Sequence, residues 1–158
     1  MSSKVLRVIL SCDKLTSVNN RLWGSRSKGM RHSWDYEHEQ QQLFQELHDQ
    51  QIPKNSLDPN KLYSFTYVFY FKQNIERRDT DNFLKCVTDV LSKHLGFNDN
   101  KIVSYKISKR QLVDFGENPQ KEYILVEIEE VDGWWDKLKI KFDEFKEFVR
   151  RYIESAGT

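Results

Sequence analysis

The chain has 158 residues, of which 25 are basic and 24 acidic, with 38% hydrophobic and 13% aromatic content and only 6 Gly and 3 Pro. Rings that bury large areas offset chain entropy, so disorder is excluded, as are collagen-like and low-complexity architectures. No apolar run approaches the ~20 residues that span a bilayer or forms a secretory core near Met1, and Cys12 and Cys86 are too few for a disulfide framework or a zinc knuckle, so a cytoplasmic, single-domain protein is expected.

Residues 4–10 form a short β-branched apolar run and read as a first strand. Residues 17–31 carry Arg21, Arg26, Lys28 and Arg31 with Gly24 and Gly29 and no acid, which reads as a basic loop. Ser33 is placed to cap a helix running to about Gln50, with Tyr36, Leu43, Phe44 and Leu47 at helical spacing. Pro53, Asn55, Asp58 and Pro59 mark a turn region. Residues 62–72 alternate strictly, with Tyr63, Phe65, Tyr67, Phe69 and Phe71 on one face, and predict a strand with a buried side.

A helix is predicted over residues 81–95, its stripe made of Leu84, Val87, Leu91 and Leu95 and its end marked by Gly96. Residues 102–110 and 122–130 alternate again, and residues 132–155 form a last amphipathic helix with Trp135, Leu138, Phe142, Phe145, Val149 and Tyr152. The expected fold is α+β: a single domain with a mixed four-stranded sheet and helices packed on it, in the order β-α-β-α-β-β-α. Residues 1–131 form the main domain, and residues 132–158 a helix packed on that domain or on a dimer partner.

Charge is segregated along the chain. Residues 1–35 carry seven basic and two acidic groups, residues 72–110 nine and five, and residues 111–136 one and eight. Because charges act within a screening length of about 8–10 Å, a nearly neutral chain can present a basic face to a polyanion.

The chemistry concentrates in Glu76-Arg-Arg-Asp-Thr-Asp-Asn-Phe-Leu-Lys85 and Phe97-Asn-Asp-Asn-Lys101. If the junction before the predicted helix is extended, Asp79 and Asp81 project together. Lys85 lies one helical turn beyond Asp81, and Asp99 arrives from the turn that closes the helix. Three carboxylates without His or Cys make an all-oxygen site that favours Mg²⁺, with Mn²⁺ as a substitute. Such a cation suits phosphodiester hydrolysis, with a lysine to offset charge on the phosphoryl group. The same acids also suit a plainer role, capping the helix that follows.

At these positions the sequence resembles the RusA-type Holliday-junction resolvases, the crossover-junction endodeoxyribonucleases. The family run Arg-Asp-x-Asp-Asn falls at Arg78-Asp79-Thr80-Asp81-Asn82, its lysine at Lys85 and its later acid at Asp99. Asn19-Asn20-Arg21-Leu22-Trp23 is similar to the family segment leading into a basic loop, and Asn98 stands where many relatives carry a second acid. The resemblance implies a Mg²⁺-dependent homodimer that resolves four-way DNA junctions by paired symmetric nicks. It implies Asp79, Asp81 and Asp99 as the essential metal-binding carboxylates and Lys85 as the essential phosphate contact. No membrane and no organic cofactor are expected.

Candidate DNA contacts are Asn20, Arg21, Trp23, Arg26 and Lys28 in the basic loop, Arg78 beside the carboxylates, and Lys101. Two other readings stay open: Asp99-Asn100-Lys101 as the D-x-K half of a restriction-type site, and a non-catalytic protein that binds branched DNA.

Overall fold

The computed structural model describes residues 5–12, 22–23, 31–32, 34–78, 80–112, 121–131 and 134–157, with residues 22–23, 31–32, 34–36, 82 and 134–141 described by their backbone alone. In chain order the elements are β1 (Val5–Ser11), β2 (Leu22–Trp23), β3 (Arg31–His32), α1 (Trp34–Asp49), β4 (Tyr63–Phe71), α2 (Asp81–Leu95), β5 (Ile102–Gln111), β6 (Tyr123–Glu130) and α3 (Trp134–Ala156). Short 3₁₀ turns at Ile75–Arg77 and Asp99–Lys101 flank α2.

The main sheet has the strand order β1-β6-β4-β5. β6 runs antiparallel to both β1 and β4, whereas β5 runs parallel to β4. A parallel neighbour cannot be reached by a tight hairpin, and α2 provides the crossover. The fold is thus α+β with one mixed four-stranded sheet and three helices, as the sequence predicts.

The period-2 pattern of β4 decides where the core sits. Tyr63, Phe65, Tyr67, Phe69 and Phe71 are all buried, together with Val8 and Leu10 of β1 and Ile124, Val126 and Ile128 of β6. Onto this face α1 presses Leu43 and Leu47, and α2 presses Cys86, Val87, Val90, Leu91 and Leu95. The five aromatics are therefore core and not a platform for stacking bases.

The outer edge of β1 is closed by side chains from the end of α1 and the residue that follows it. Gln50 accepts from the Ile9 amide at 2.9 Å and donates to the Ile9 carbonyl at 2.6 Å, and Glu46 accepts from the Ser11 amide at 2.8 Å and from its hydroxyl. These bonds occupy backbone groups that an open edge would offer to another chain.

The structure adds detail to three readings. The basic loop over residues 17–31 contains a short antiparallel ladder, with Leu22 paired to His32 and Trp23 to Arg31. Residues 102–110 form the strand their alternation predicts, and in β5 only Ile102 is buried, while Tyr105 and Ile107 are exposed. The reason is topological, because β5 is an edge strand and no described helix lies over its outer half. In α3, Phe142, Phe145, Phe148, Tyr152 and Ile153 are all exposed, so the described part of this helix does not bury its stripe on the domain. Ser33, the expected cap of α1, lies outside the described residues. Among the described residues no helix is long and apolar enough to cross a membrane.

Candidate active site

Paired residues on neighbouring strands project to the same face of a sheet. Tyr105 and Ile107 pair with Phe65 and Tyr67 and so face the side on which α2 packs. Because β5 is the edge, the space between α2 and this strand stays open. It forms a cleft of about 330 Å³ lined by Asp81, Leu84, Lys85, Thr88 and Asp89 from α2, Asp99 from the following turn, and Tyr105 from β5.

The helix wall follows from spacing. Asp81, Lys85 and Asp89 are four residues apart and so form one row on the helix, alternating in charge, over about 12 Å of axis. All three line the cleft because the opposite stripe of α2 is bound to β4. Thr88 is fixed between these faces. Its hydroxyl donates to the Leu84 carbonyl at 2.7 Å, so the phenol of Tyr67, 2.7 Å from the same oxygen, must donate to it.

Tyr105 lines the floor, and the buried Tyr67 lies behind it. The Tyr67 and Tyr105 rings lie 6.3 Å apart and nearly parallel, at 12°. Burial pushes the Tyr67 phenol far above the ordinary tyrosine range, with the Thr88 hydrogen bond opposing the rise. Tyr105 is raised as well, by burial first and then by the Asp99 carboxylate. Both phenols stay neutral and able to donate, and the second effect places the negative charge of Asp99 near the Tyr105 hydroxyl.

Asp99 is delivered by a helix stop. Gly96 adopts φ 79° and ψ 38°, a left-handed conformation that suits glycine, and its N–H closes on the Ser92 carbonyl at 3.0 Å. The chain then enters the Asp99–Lys101 turn, where the Asn98 side chain accepts from the Asn100 amide at 3.0 Å. Asn98 therefore caps this turn.

The structure brings Asp81, Lys85 and Asp99 to one cleft, whereas Asp79 lies outside the described residues. Among the described residues no group of three or more His, Cys, Asp or Glu converges as a metal site. The donor chemistry fits a hard cation, since the titratable lining comprises carboxylates, one lysine and one phenol. The extended geometry expected across residues 79–81 is not adopted by Thr80, which is helical at φ −78° and ψ −27°. Thr80 makes no side-chain capping bond, and Asp81 lies in the first turn of the helix.

Arg78 is also engaged within the protein. Its guanidinium lies 3.0 Å from Glu122 and stacks on the Phe71 ring at 4.3 Å, while its carbonyl accepts from Lys109 at 3.0 Å. It clamps the chain leaving β4 to the strands on either side of it. Lys101 ends the 3₁₀ turn that Asp99 begins. The D-x-K reading loses support here, because residues two apart project together on a strand and diverge in a 3₁₀ turn. Asn20, Arg21, Arg26 and Lys28 lie outside the described residues, and Trp23 is described by its backbone in β2.

Sequence reasoning assigned no site role to Thr88, Asp89, Tyr105 or Glu122. Asp89 could have been found, since it continues the four-residue row from Asp81 and Lys85. Tyr105 and Glu122 carry no such signal, because their places depend on which strands become neighbours.

A family model described as Endodeoxyribonuclease RusA matches residues 25–127. No curated protein matches the chain. Among solved structures, a 2C-methyl-D-erythritol-2,4-cyclodiphosphate synthase matches at 13% identity and a TM-score of 0.27, covering 64% of this chain and 54% of that one. A CDP-bound form of such a synthase matches at 11% identity and a TM-score of 0.27, covering 60% and 53%. The chain thus spans about half the length of the solved chains it matches.

Proposed function

We propose, from the premise that this chain belongs to the RusA endodeoxyribonuclease family, that it is a Mg²⁺-dependent enzyme resolving four-way DNA junctions by paired symmetric nicks. The observation that carries this reading is that Asp81, Lys85 and Asp99, distant in sequence from one another or separated by a helical turn, open on the same cleft within the family-matched segment.

In this reading Asp79, Asp81 and Asp99 hold the cation, and Mn²⁺ can take its place. When bound, the cation supplies Lewis-acid polarisation of the scissile phosphate and a water activated for attack. Lys85 sits on the cleft wall one turn from Asp81 and offsets the negative charge that grows on the phosphoryl oxygens. The neutral Tyr105 phenol is a further donor on the cleft floor, while Thr88, engaged by Leu84 and Tyr67, keeps the wall in place.

DNA binding draws on the basic segments at residues 1–35 and 72–110, with Asn20, Arg21, Trp23, Arg26, Lys28 and Lys101 as contacts. The product ends are 5′-phosphate and 3′-hydroxyl. A four-way junction has two-fold symmetry, so paired nicks call for two active sites related by a C2 axis and hence for a homodimer.

The test is a synthetic four-way junction incubated with Mg²⁺ and either the wild type, Asp81→Asn or Asp99→Asn. Each variant keeps junction binding and loses at least ~10³-fold in cleavage, the scale on which a catalytic electrostatic group acts. Unchanged cleavage by both pure variants overturns the site. Binding by a wild type that never cleaves, under any divalent cation, makes the chain a non-catalytic junction binder.

A further inference from the structure

A second cavity, of about 540 Å³, lies between α1 and the end of α2 and shares no residue with the active-site cleft. One face of α1 supplies Gln41, Phe44, Gln45 and His48, at the spacing that brings residues three and four apart together. The last turn of α2 adds Lys93 and His94, and the turn region after α1 adds Lys54. Among the described residues no carboxylate lines it.

The walls are held by backbone bonds. The Asn55 and Leu57 amides donate to the His94 and Leu95 carbonyls at 2.9 and 3.2 Å, and the Ile52 amide donates to the Leu47 carbonyl at 3.1 Å. The segment bearing Lys54 is thereby tied to the ends of both helices. Carbonyls at a helix C-terminus ordinarily disfavour an anion, and these bonds occupy them. His94 is 5% exposed, and its Nε2 donates to the Ile52 carbonyl at 2.7 Å. Its Nδ1 makes no hydrogen bond among the described residues and, in the neutral ring, is an acceptor. The His94 and Phe44 rings lie 6.4 Å apart at 32° and give the cavity an aromatic floor.

The charge at the rim is basic and unspent. Lys54 and Lys93 are exposed and pair with no carboxylate among the described residues. Two acids at this end of α1 are held elsewhere: Glu46 accepts from Ser11 at the edge of β1, and Asp49 accepts from Gln45 at 2.8 Å and lies 3.8 Å from His48. Asp89, one turn before Lys93 on α2, lines the active-site cleft instead.

We propose that this cavity binds a nucleotide, its base on the Phe44 and His94 rings and its phosphate on Lys54 and Lys93. His94 Nδ1 and the Gln41 amide, which makes no hydrogen bond among the described residues, meet the polar edge of the base. A simple oxyanion fits poorly, because the volume falls within the ~300–1,000 Å³ of small-molecule pockets and the ring floor would stay bare. The ligand is either a free nucleotide or an unpaired nucleotide of a DNA strand. Only the strand source rests on the nuclease reading: Lys93 continues the α2 row of Asp81, Lys85 and Asp89, about 12 Å along the helix from Lys85.

Binding measured in EDTA tests this without any metal-dependent cleavage. Fluorescence anisotropy follows a labelled ten-nucleotide oligothymidylate, and ¹H–¹⁵N NMR follows dTMP and inorganic phosphate. With dTMP the Lys93 and His94 amides shift, and inorganic phosphate at the same concentration shifts them less. Lys54→Gln/Lys93→Gln weakens oligothymidylate binding at least ~10-fold, as loss of a charge-assisted contact should. It also flattens the slope of log K against log salt by about 0.7, the share of one phosphate on a single strand. Lys146→Gln on α3 changes neither. A weakened oligothymidylate without a dTMP shift assigns the cavity to a DNA strand, and a dTMP shift with unchanged oligothymidylate affinity assigns it to a free nucleotide. Absence of both effects overturns the proposal, as does inorganic phosphate shifting the two amides as strongly as dTMP. A wild type that fails to cleave junctions with Mg²⁺ bears on the nuclease reading and not on this one.

Discussion

Replacing Tyr67 with Phe removes one oxygen from the centre of the fold, and its consequences change sign with pH. The ring stays, so packing against Tyr105 and under α2 is conserved. One hydrogen bond is lost, the 2.7 Å bond to Thr88 Oγ1, and the Thr88 hydroxyl keeps its own bond to the Leu84 carbonyl. A single buried bond whose partner remains partly satisfied costs about 1 kcal/mol at neutral pH. With a urea m-value near 2 kcal/mol/M, the unfolding midpoint falls by about 0.5 M.

Alkali reverses the order. Burial raises the folded-state pKa of Tyr67 well above the ordinary 10.0, so in the folded protein it holds its proton where the unfolded chain releases it. The stability it contributes is complete below the unfolded value and is lost as pH climbs toward the folded one, at about 1.4 kcal/mol per pH unit. Phe carries no such linkage, and the other tyrosines titrate alike in both proteins. The two stability curves should therefore cross between about pH 10.5 and 11, with the variant the more stable beyond. Urea unfolding followed by circular dichroism at pH 7, 9, 10 and 11 measures this. A gap that stays constant or widens across that range refutes the buried-donor assignment.

Two further outcomes follow from the same geometry. Gly96→Ala should destabilise by at least ~2 kcal/mol and lower Tm by about 4–8 °C, because it forces a left-handed φ on alanine and drives a methyl against Asn55, whose Cα would lie 3.0 Å away. Differential scanning calorimetry checks it, and a Tm within 1 °C of wild type refutes the reasoning. Lys85→Ala, on an exposed position of the cleft wall, should leave Tm unchanged and reduce junction cleavage by roughly 10²-fold or more under single-turnover conditions, an effect that a merely solvated lysine would not show.

How much of this was legible in the sequence depends on whether the signal was local. Period-2 alternation in β4, the stripe of α2 and the glycine after it are properties of neighbouring residues, so strand, helix and stop were readable and all five β4 aromatics lie in the core as expected. The acid-and-lysine row on α2 was equally local, which is why Asp81 and Lys85 stood out and why Asp89 could have joined them. Alternation in β5 was read correctly as a strand, but its exposure was not legible, since period says which way side chains point and not whether anything covers them.

Strand order is set by long-range pairing, and it alone decided three features of the site. It put β5 at the edge and so opened the cleft beside α2; it brought Tyr105 over Tyr67 and next to Asp99; and it placed Glu122 against Arg78, an ion pair that spacing along the chain does not announce. By itself the sequence determined the elements, their amphipathic faces and the residues able to do chemistry, because these depend on spacing along the chain. Only the tertiary structure decided which faces are covered and which charges meet, because burial and electrostatic contact depend on neighbours that sequence distance does not encode.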